Sequence, residues 1–366
     1  MIRGLCRLLG VIAAILLLVN VFVHNYPVFR RCHWAPGAQI RIMAFGDPQI
    51  TGTSPTTAFR KRLDVAGNDY FLAHTVRTMR RHLDPRVSVV LGDLISSQWI
   101  DTAEFHARAD RFERIFPPRD NEILFNVSGN HDIGYHGEMT SERVDRFEER
   151  YGPLNFVRDF DGSWRFVVVN SLALDGAEYG PYQAITHAFL KHLRETPYDG
   201  QTVLAIHVPM YKPAGMCRDG PMFKYYEGAQ IRSQNHLTFS STQQVLQSVF
   251  ANGKPGFVLA GHDHEGCLTS YVPSGSGEFS PVAGLDPSGI QEATVRSLMG
   301  EYGGNTGLLS GLYNEETRLW DFEYMLCPFF VQHLWWVATG ASYVGLLALS
   351  VVPLGVFSTA RVLNRN

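Results

Sequence analysis

Asn130, His131 and Asp132 stand in a row, just past the apolar run Glu122–Val127 and a Ser-Gly pair. An amide, an imidazole and a carboxylate at a strand end are poor material for a core. They suit a metal ligand (Asn130), a proton donor (His131) and a carboxylate that orients the donor (Asp132). Four other apolar runs end in the same way, at Gly46-Asp47-Pro48-Gln49, Gly92-Asp93, Ile206-His207 and Gly261-His262-Asp263-His264. Asp47, Asp93, Asn130, His207, His262 and His264, with Gln49 as a further donor, offer carboxylate, amide and imidazole. That mixture suits Mn²⁺, Fe or Zn²⁺. It contains no cysteine, which argues against a structural thiolate zinc site. Six or seven donors are too many for one catalytic metal and fit two ions sharing a bridging carboxylate. Two ions about 3.5–4 Å apart clamp the attacking and departing oxygens of an in-line displacement at phosphorus and make hydroxide available near neutral pH.

These residues are spread over more than 200 positions, from Asp47 to His264, so the fold must gather them. Ile40–Phe45, Val87–Leu91, Glu122–Val127, Trp164–Asn170, Thr202–Ile206 and Phe257–Ala260 read as strands. Asn68–Leu83, Asp101–Phe116, Ser141–Tyr151, Gln183–Leu193 and Ser241–Ala251 read as helices, the second opened by the capping-box pattern Asp101-Thr-Ala-Glu104. Strands alternating with helices imply an α/β fold with a largely parallel sheet. Ligands of such sheets bind beyond the carboxyl ends of the strands, where every candidate donor sits. Residues 266–296, rich in Gly, Ser and Pro, read as a long loop near the site. Ser297–Met325 reads as further strands, turning at Gly303-Gly304 and completing a second sheet. Arg108, Arg111, Arg114 and Arg119 read as a solvated helix face. His24, His33, His74, His82, His106, His136, His187, His192 and His236 lack the strand-end pattern and read as ordinary surface or core histidines, and His333 as interfacial. The sequon Asn126-Val-Ser128 lies in a strand and is expected to go unused.

The ordered set Gly46-Asp-x-Gln49, Gly92-Asp93, Gly129-Asn-His-Asp132, His207 after a strand, and Gly261-His-x-His264 resembles the signature of the calcineurin-like metallophosphoesterases. The resemblance runs from 46 to 264. It implies a four-layer sandwich of two mixed β-sheets flanked by helices and two divalent metal ions. Asp47 and His264 would hold the first ion, with Gln49 where most members have His; Asp93 would bridge; Asn130, His207 and His262 would hold the second. His131 would protonate the leaving oxygen or stabilise the transition state, steadied by Asp132. A neutral Gln49 carbonyl would weaken the first site or favour Mn²⁺, the most expected metal, over Zn²⁺ or Fe. Ser96 stands where the family's second motif carries another Asp, and the position reads as structural. A narrower resemblance is carried by Gly46-Asp-Pro-Gln-Ile50 and Gly92-Asp-Leu-Ile-Ser-Ser-Gln-Trp99 with flanking apolar segments. These look like the endoplasmic-reticulum phosphodiesterases that remove ethanolamine-phosphate branches from glycosylphosphatidylinositol (GPI) anchors. The implied substrate is a GPI lipid or GPI-anchored protein, and the implied process is cargo export. The sequence leaves two other readings open: a membrane-anchored phosphatase for another phosphoester, and a non-enzymatic adaptor on the same fold.

The termini set the class. Leu8–Val23 is apolar except for Asn20 and follows Arg3 and Arg7; no small-residue cleavage site follows it, so it reads as a retained signal anchor. Phe329–Ala360 contains no Asp, Glu, Lys or Arg, longer than the ~20 residues a bilayer requires, with Trp335 and Trp336 near its start. The implied layout is 1–7 cytosolic, 8–24 signal anchor, 25–39 linker, 40–327 lumenal catalytic domain, 329–358 transmembrane helix and 359–366 cytosolic tail. Arg361 and Arg365 after the second segment, against Glu315, Glu316, Asp321 and Glu323 before it, place both termini in the cytosol; Arg30 and Arg31 argue weakly the other way. The expected residence is the endoplasmic-reticulum membrane, with the bilayer and the export machinery as partners. A net charge of -3 gives no electrostatic reason to expect nucleic acid. Cys32, Cys217, Cys267 and Cys327 would lie in an oxidising space. A Cys32–Cys327 clasp leaves Cys217 and Cys267 as the other pair, although four cysteines allow three connectivities.

Overall fold

Short apolar runs punctuated by glycine make the strands, and longer periodic runs the helices. The structure, a computed structural model, describes residues 2–53, 56–275 and 277–363. In chain order the elements are α1 (Ile2–Arg31), β1 (Ile40–Phe45), α2 (Phe59–Leu83), β2 (Val87–Val90), α3 (Thr102–Ile115), β3 (Ile123–Asn126), α4 (Asn130–Ile133) and α5 (Ser141–Tyr151). They continue with β4 (Phe156–Phe160), β5 (Trp164–Val168), α6 (Tyr182–Glu195), β6 (Gln201–Ile206), β7 (Phe223–Tyr225), β8 (Ile231–Gln234), α7 (Phe239–Val249) and β9 (Phe257–Ala260). The last are β10 (Cys267–Pro273), β11 (Phe279–Ala283), β12 (Ile290–Thr294), β13 (Asn305–Asn314), β14 (Leu319–Pro328) and α8 (Gln332–Leu363).

The chain divides into two units, His33–Cys327 and the terminal segments Met1–Cys32 with Pro328–Asn366. In the first, one sheet has the order β14-β13-β1-β2-β3 and the other β11-β10-β12-β9-β6-β5-β4. β1, β2 and β3 run parallel, as do β5, β6, β9 and β12, while β13, β10, β11 and β4 pair antiparallel with their neighbours. The inner faces share one core: Ile42, Ala44, Val89 and Leu91 from the first sheet meet Phe166, Val203, Ala205 and Leu259 from the second. Strands buried on both faces read as continuous apolar runs; all six residues of β6 are buried. Outside the first sheet, Phe45 meets Phe116 at the end of α3, with centroids 5.2 Å apart. Outside the second, Arg165 of β5 donates to the Val249 carbonyl of α7 at 3.0 Å. This is the α/β sandwich of mixed sheets and helices.

Four expectations need correction. Residues 266–296 are not a loop but β10, β11 and β12, which extend the second sheet. Gly, Ser and Pro are concentrated in the turns between those strands, while Leu268–Val272 has the β-branched and aromatic side chains a strand favours. α2 begins at Phe59, nine residues before Asn68, and its first turns are largely exposed, so no apolar period marks them. The stretch 25–39 read as linker is helical to Arg31, with Pro27 inside; a proline forfeits one intrahelical bond, which this helix absorbs. α7 starts at Phe239 with Thr238 as its cap, accepting from the Ser241 N–H, whereas the expected start was Ser241. Asp101 caps α3 as the sequence implies, accepting from the Glu104 N–H at 2.8 Å.

In the terminal unit, α1 and α8 are each long and apolar enough to cross a membrane, over Cys6–Arg31 and His333–Val351. Asn20, the polar residue of the first run, donates to Ser342 Oγ at 2.9 Å and to the Leu16 carbonyl at 2.8 Å. Arg365 of the expected cytosolic tail lies outside the described residues.

The His33–Cys327 unit carries a buried ion pair beside its first sheet. Arg80 of α2 forks onto Glu122 at 2.8 and 3.0 Å, with side chains 3% and 1% exposed. Removing one partner of such a pair leaves an uncompensated buried charge. Glu122→Ala is therefore expected to cost about 3–5 kcal/mol, read as a urea midpoint lowered by more than ~1 M for the detergent-solubilised chain. An unchanged midpoint would show that Arg80 finds another acceptor.

Candidate metal centre

At the carboxyl ends of β1, β2 and β9 the chain turns under strain. Asp47, Gln49, Asp93 and His262 have φ of 37°, 43°, 50° and 71°, the left-handed region in which side chains cost energy. Glycines beside them are fixed by close approach. A Cβ on Gly92 would lie 2.3 Å from His207 Nδ1, and one on Gly129 would lie 2.1 Å from the Asp93 amide nitrogen. The glycines of the Gly-Asp and Gly-Asn-His sequences are thus what lets the ends of β2, β3 and β6 meet.

The donors form two cups. In the first, Asp47 Oδ2 lies 3.2 Å from His264 Nε2, and Gln49 Nε2 reaches Asp93 Oδ2 at 3.1 Å and His264 Nε2 at 3.4 Å. A half-turn of the Gln49 amide puts its carbonyl oxygen at the same place. In the second, His207 Nε2 lies 3.0 Å from Asn130 Oδ1, 3.2 Å from His262 Nδ1 and 3.4 Å from Asp93 Oδ1. Asp93 gives one oxygen to each cup, which is what a bridging carboxylate must do. Ligand atoms of Asp47, Asp93 and His207, all buried, lie within 4.8 Å of one another.

The second cup tests whether this donor set fits a cation. His207 Nδ1 faces the Leu91 carbonyl at 2.7 Å, and His262 Nε2 faces the Gln234 carbonyl at 2.8 Å. Only an N–H satisfies a carbonyl, so each ring's proton is committed outward and its lone pair faces inward. Burial, with the neighbouring His207 next, lowers His262 to about 4, so it stays neutral. Two imidazole lone pairs and the Asn130 carbonyl oxygen then crowd together without a proton between them, an arrangement that repels until a cation sits among them. In the first cup, burial raises Asp47, but its hydrogen bond to His264 and the charge of that ring hold it below the ordinary carboxylate value. The residues fit a pair of divalent ions.

His131 stands at the opening, its side chain 39% exposed, with Nε2 3.8 Å from Asp93 Oδ2 and its backbone N–H donating to Asp93 Oδ1 at 2.8 Å. Asp132 departs from expectation. Its oxygens are taken by backbone N–H groups, Gly129 at 2.7 Å, Ile95 at 3.0 Å and Leu94 at 3.2 Å, and not by the His131 ring. Asp132 is the first-turn acceptor of α4, and its fork must point back at the two segments it joins. It orients His131 only through the backbone that carries it. Burial and the charge of Asp93 push its carboxyl upward against those three bonds.

Sequence reasoning did not find the backbone partners Leu91 and Gln234, since a carbonyl leaves no mark on residue type. It also missed the β7–β8 hairpin that brings Gln234 in. Two arginines of α3 are not free on a solvated face. Arg111 forks onto Asp69 at 2.6 and 2.7 Å and bonds the Thr51 carbonyl at 2.6 Å, and Arg108 bonds the Ser96 carbonyl. They brace the segments that follow Gln49 and Asp93.

Metal analysis tests the two cups directly. After dialysis against Mn²⁺ or Zn²⁺, plasma mass spectrometry should find close to two ions per chain. Asp93→Asn should lower this to one or fewer, and equal content in both proteins would remove Asp93 from the bridge. Asp132→Ala, which frees three buried N–H groups, should weaken metal affinity about 10–100-fold, as loss of supporting groups around a metal does; full affinity would make its bonds incidental to the site.

A family profile described as calcineurin-like phosphoesterase matches residues 40–266. Protein TED1 of Saccharomyces cerevisiae is 37% identical over 377 residues, covering 82% of this chain and 80% of its own. Metallophosphoesterase 1 of Cricetulus griseus is 25% identical over 342 residues, covering 84% and 80%, and that of Danio rerio is 27% identical over 299 residues, covering 72% and 75%. The chain therefore belongs to the calcineurin-like phosphoesterases and is a metal-dependent phosphoesterase.

Proposed function

We propose that this phosphoesterase is a membrane-tethered phosphodiesterase that removes an ethanolamine-phosphate branch from a GPI mannose in the lumen of the endoplasmic reticulum, in support of cargo export. The observation that carries the chemistry is the division of seven donors into two cups bridged by Asp93. The substrate rests on the Gly46–Ile50 and Gly92–Trp99 stretches and their resemblance to enzymes of that kind. Two further features agree with it. α1 and α8 are long and apolar enough to hold the catalytic unit at a bilayer, where a lipid-linked diester is found. Cys217 and Cys267 form a disulfide, which belongs in an oxidising compartment.

Bound in the two cups, divalent ions supply positive charge for the phosphoryl oxygens and an activated water, with Mn²⁺ our proposed metal because Gln49 is a neutral oxygen donor. The protein's own part follows from the geometry. Asp47, Gln49 and His264 hold the first ion; Asn130, His207 and His262 hold the second; Asp93 spans both. His131, exposed at the opening, donates a proton to the departing sugar oxygen, so the leaving group departs as an alcohol. Asp132 fixes where that donor stands.

The test is mass spectrometry of GPI glycans from cells lacking the protein, rescued with wild type or Asp93→Asn. An extra ethanolamine phosphate is expected to persist in the null and the variant and to vanish with wild type, and the branch retained identifies the mannose. Identical glycans in all three would move the substrate to another phosphoester. His131→Ala should lower kcat about 10²–10⁴-fold, as loss of a general acid does, with metal content unchanged; a fall in metal content would instead make His131 a ligand.

A further inference from the structure

Two segments leave the metal centre side by side, 93–99 after the bridging aspartate and 130–143 after Asn130. Glu138 joins them. Its buried carboxylate accepts from Gln98 Nε2 at 2.7 Å, from the Tyr226 hydroxyl at 2.8 Å and from the Tyr135 N–H at 3.4 Å. Its carbonyl accepts from the Arg143 guanidinium. One buried carboxylate thus fastens the Asp93 segment, the His131 segment and Tyr226 of the β7–β8 hairpin.

On this joint stand two exposed rings. Trp99 is 63% exposed, with the Arg143 guanidinium 4.3 Å from its ring centroid. Tyr226 is 37% exposed, with Arg232 5.5 Å from its centroid. Neither ring belongs to the core, and neither is a metal donor. Trp99 is held by a cation on one face, and its exposure leaves ring surface open to solvent. Such a ring is ordered before any ligand arrives, which lowers the cost of binding. The arginine also limits what stacks there. A second cation on the opposite face would meet like-charge repulsion, whereas the neutral C–H face of a pyranose would not.

We propose that Trp99, propped by Arg143 and joined by Tyr226 and Arg232, is a sugar-binding platform beside the metal centre. It seats a hexopyranose that carries the phosphodiester, on the face of Trp99 opposite Arg143. The identity of the sugar as mannose rests on the function proposed above; the platform rests on the rings.

The experiment uses the full chain in a sugar-free detergent, with metal content matched between variants. Saturation-transfer NMR with methyl α-mannoside should show ring-proton signals with wild type, lose them with Trp99→Ala and keep them with Trp99→Phe. Equal signals in wild type and Trp99→Ala, or none in wild type, would overturn the platform whether or not any diester is cleaved. Hydrolysis is then compared for a methyl mannoside bearing ethanolamine phosphate and for the methyl ester of ethanolamine phosphate, which has no sugar. Trp99→Ala should raise KM about tenfold for the mannoside alone, with kcat and the sugar-free diester unchanged. Equal losses on both substrates would make Trp99 structural and overturn the proposal. If wild type cleaves neither, the GPI reading falls and the NMR result still decides the platform.

Discussion

Acceptors that face one another with no proton between them set the terms for this structure. His207 Nε2 is held against both His262 Nδ1 and Asn130 Oδ1 while the opposite sides of the two rings are committed to the carbonyls of Leu91 and Gln234. Folding gathers repelling groups here, and cations repay the arrangement. The strain nearby has the same origin. Asp47, Gln49, Asp93 and His262 adopt left-handed backbone so that their side chains turn back over the strand ends, and glycines at 92 and 129 remove the Cβ atoms that would hold those ends apart.

This constraint explains why some of the molecule was legible in its sequence and some was not. Gly92-Asp93 and Gly129-Asn130 were readable because a steric demand on one residue and a chemical demand on the next fall side by side. The core strands were readable because burial on both faces leaves an unbroken apolar run, as in 203–206 of β6. β10 and β11 are only partly buried, and β12, buried throughout, is built largely of polar residues (Gln291, Glu292, Thr294), so none of the three leaves an apolar run and β10–β12 reads as a loop. The exposed first turns of α2 left no period, so its start was missed. The β7–β8 hairpin was missed for a further reason: what it supplies to the site is the Gln234 carbonyl, a group every residue has. Asp132 shows the opposite failure. Its residue type was read as that of a functional group, but its partner was assigned by adjacency, and a short helix turns its carboxylate away from the neighbouring ring.

The supports around the cups are made of charge. Arg111 and Arg108 reach from α3 to the backbone after Gln49 and Asp93, each also held by a carboxylate, Asp69 or Glu104. Isolated pairs on a surface contribute little to stability. These differ in that one end of each arginine is spent on a carbonyl of a site-bearing segment, which fixes position. Asp132 does similar work from inside, its three N–H donors coming from the segment after Asp93 and from Gly129. The segments that carry the donors are therefore braced from both sides.

The two cups are not equivalent, and the difference follows from Gln49. The second cup is deepest at His207, whose side chain is wholly buried, and at Asn130, 5% exposed, while its other imidazole, His262, is partly buried. Its donors include two imidazoles with fixed tautomers. The first cup has one imidazole, His264, whose side chain is 23% exposed and whose ring rests against Tyr302, and a neutral amide where a second imidazole would bind harder. Asp47 supplies its main charge. A donor set with one imidazole beside a set with two would hold its ion the less tightly. Asp93, with one carboxylate oxygen facing each cup, would share a single negative charge between both sites. Filling one site would therefore reduce what Asp93 offers the other.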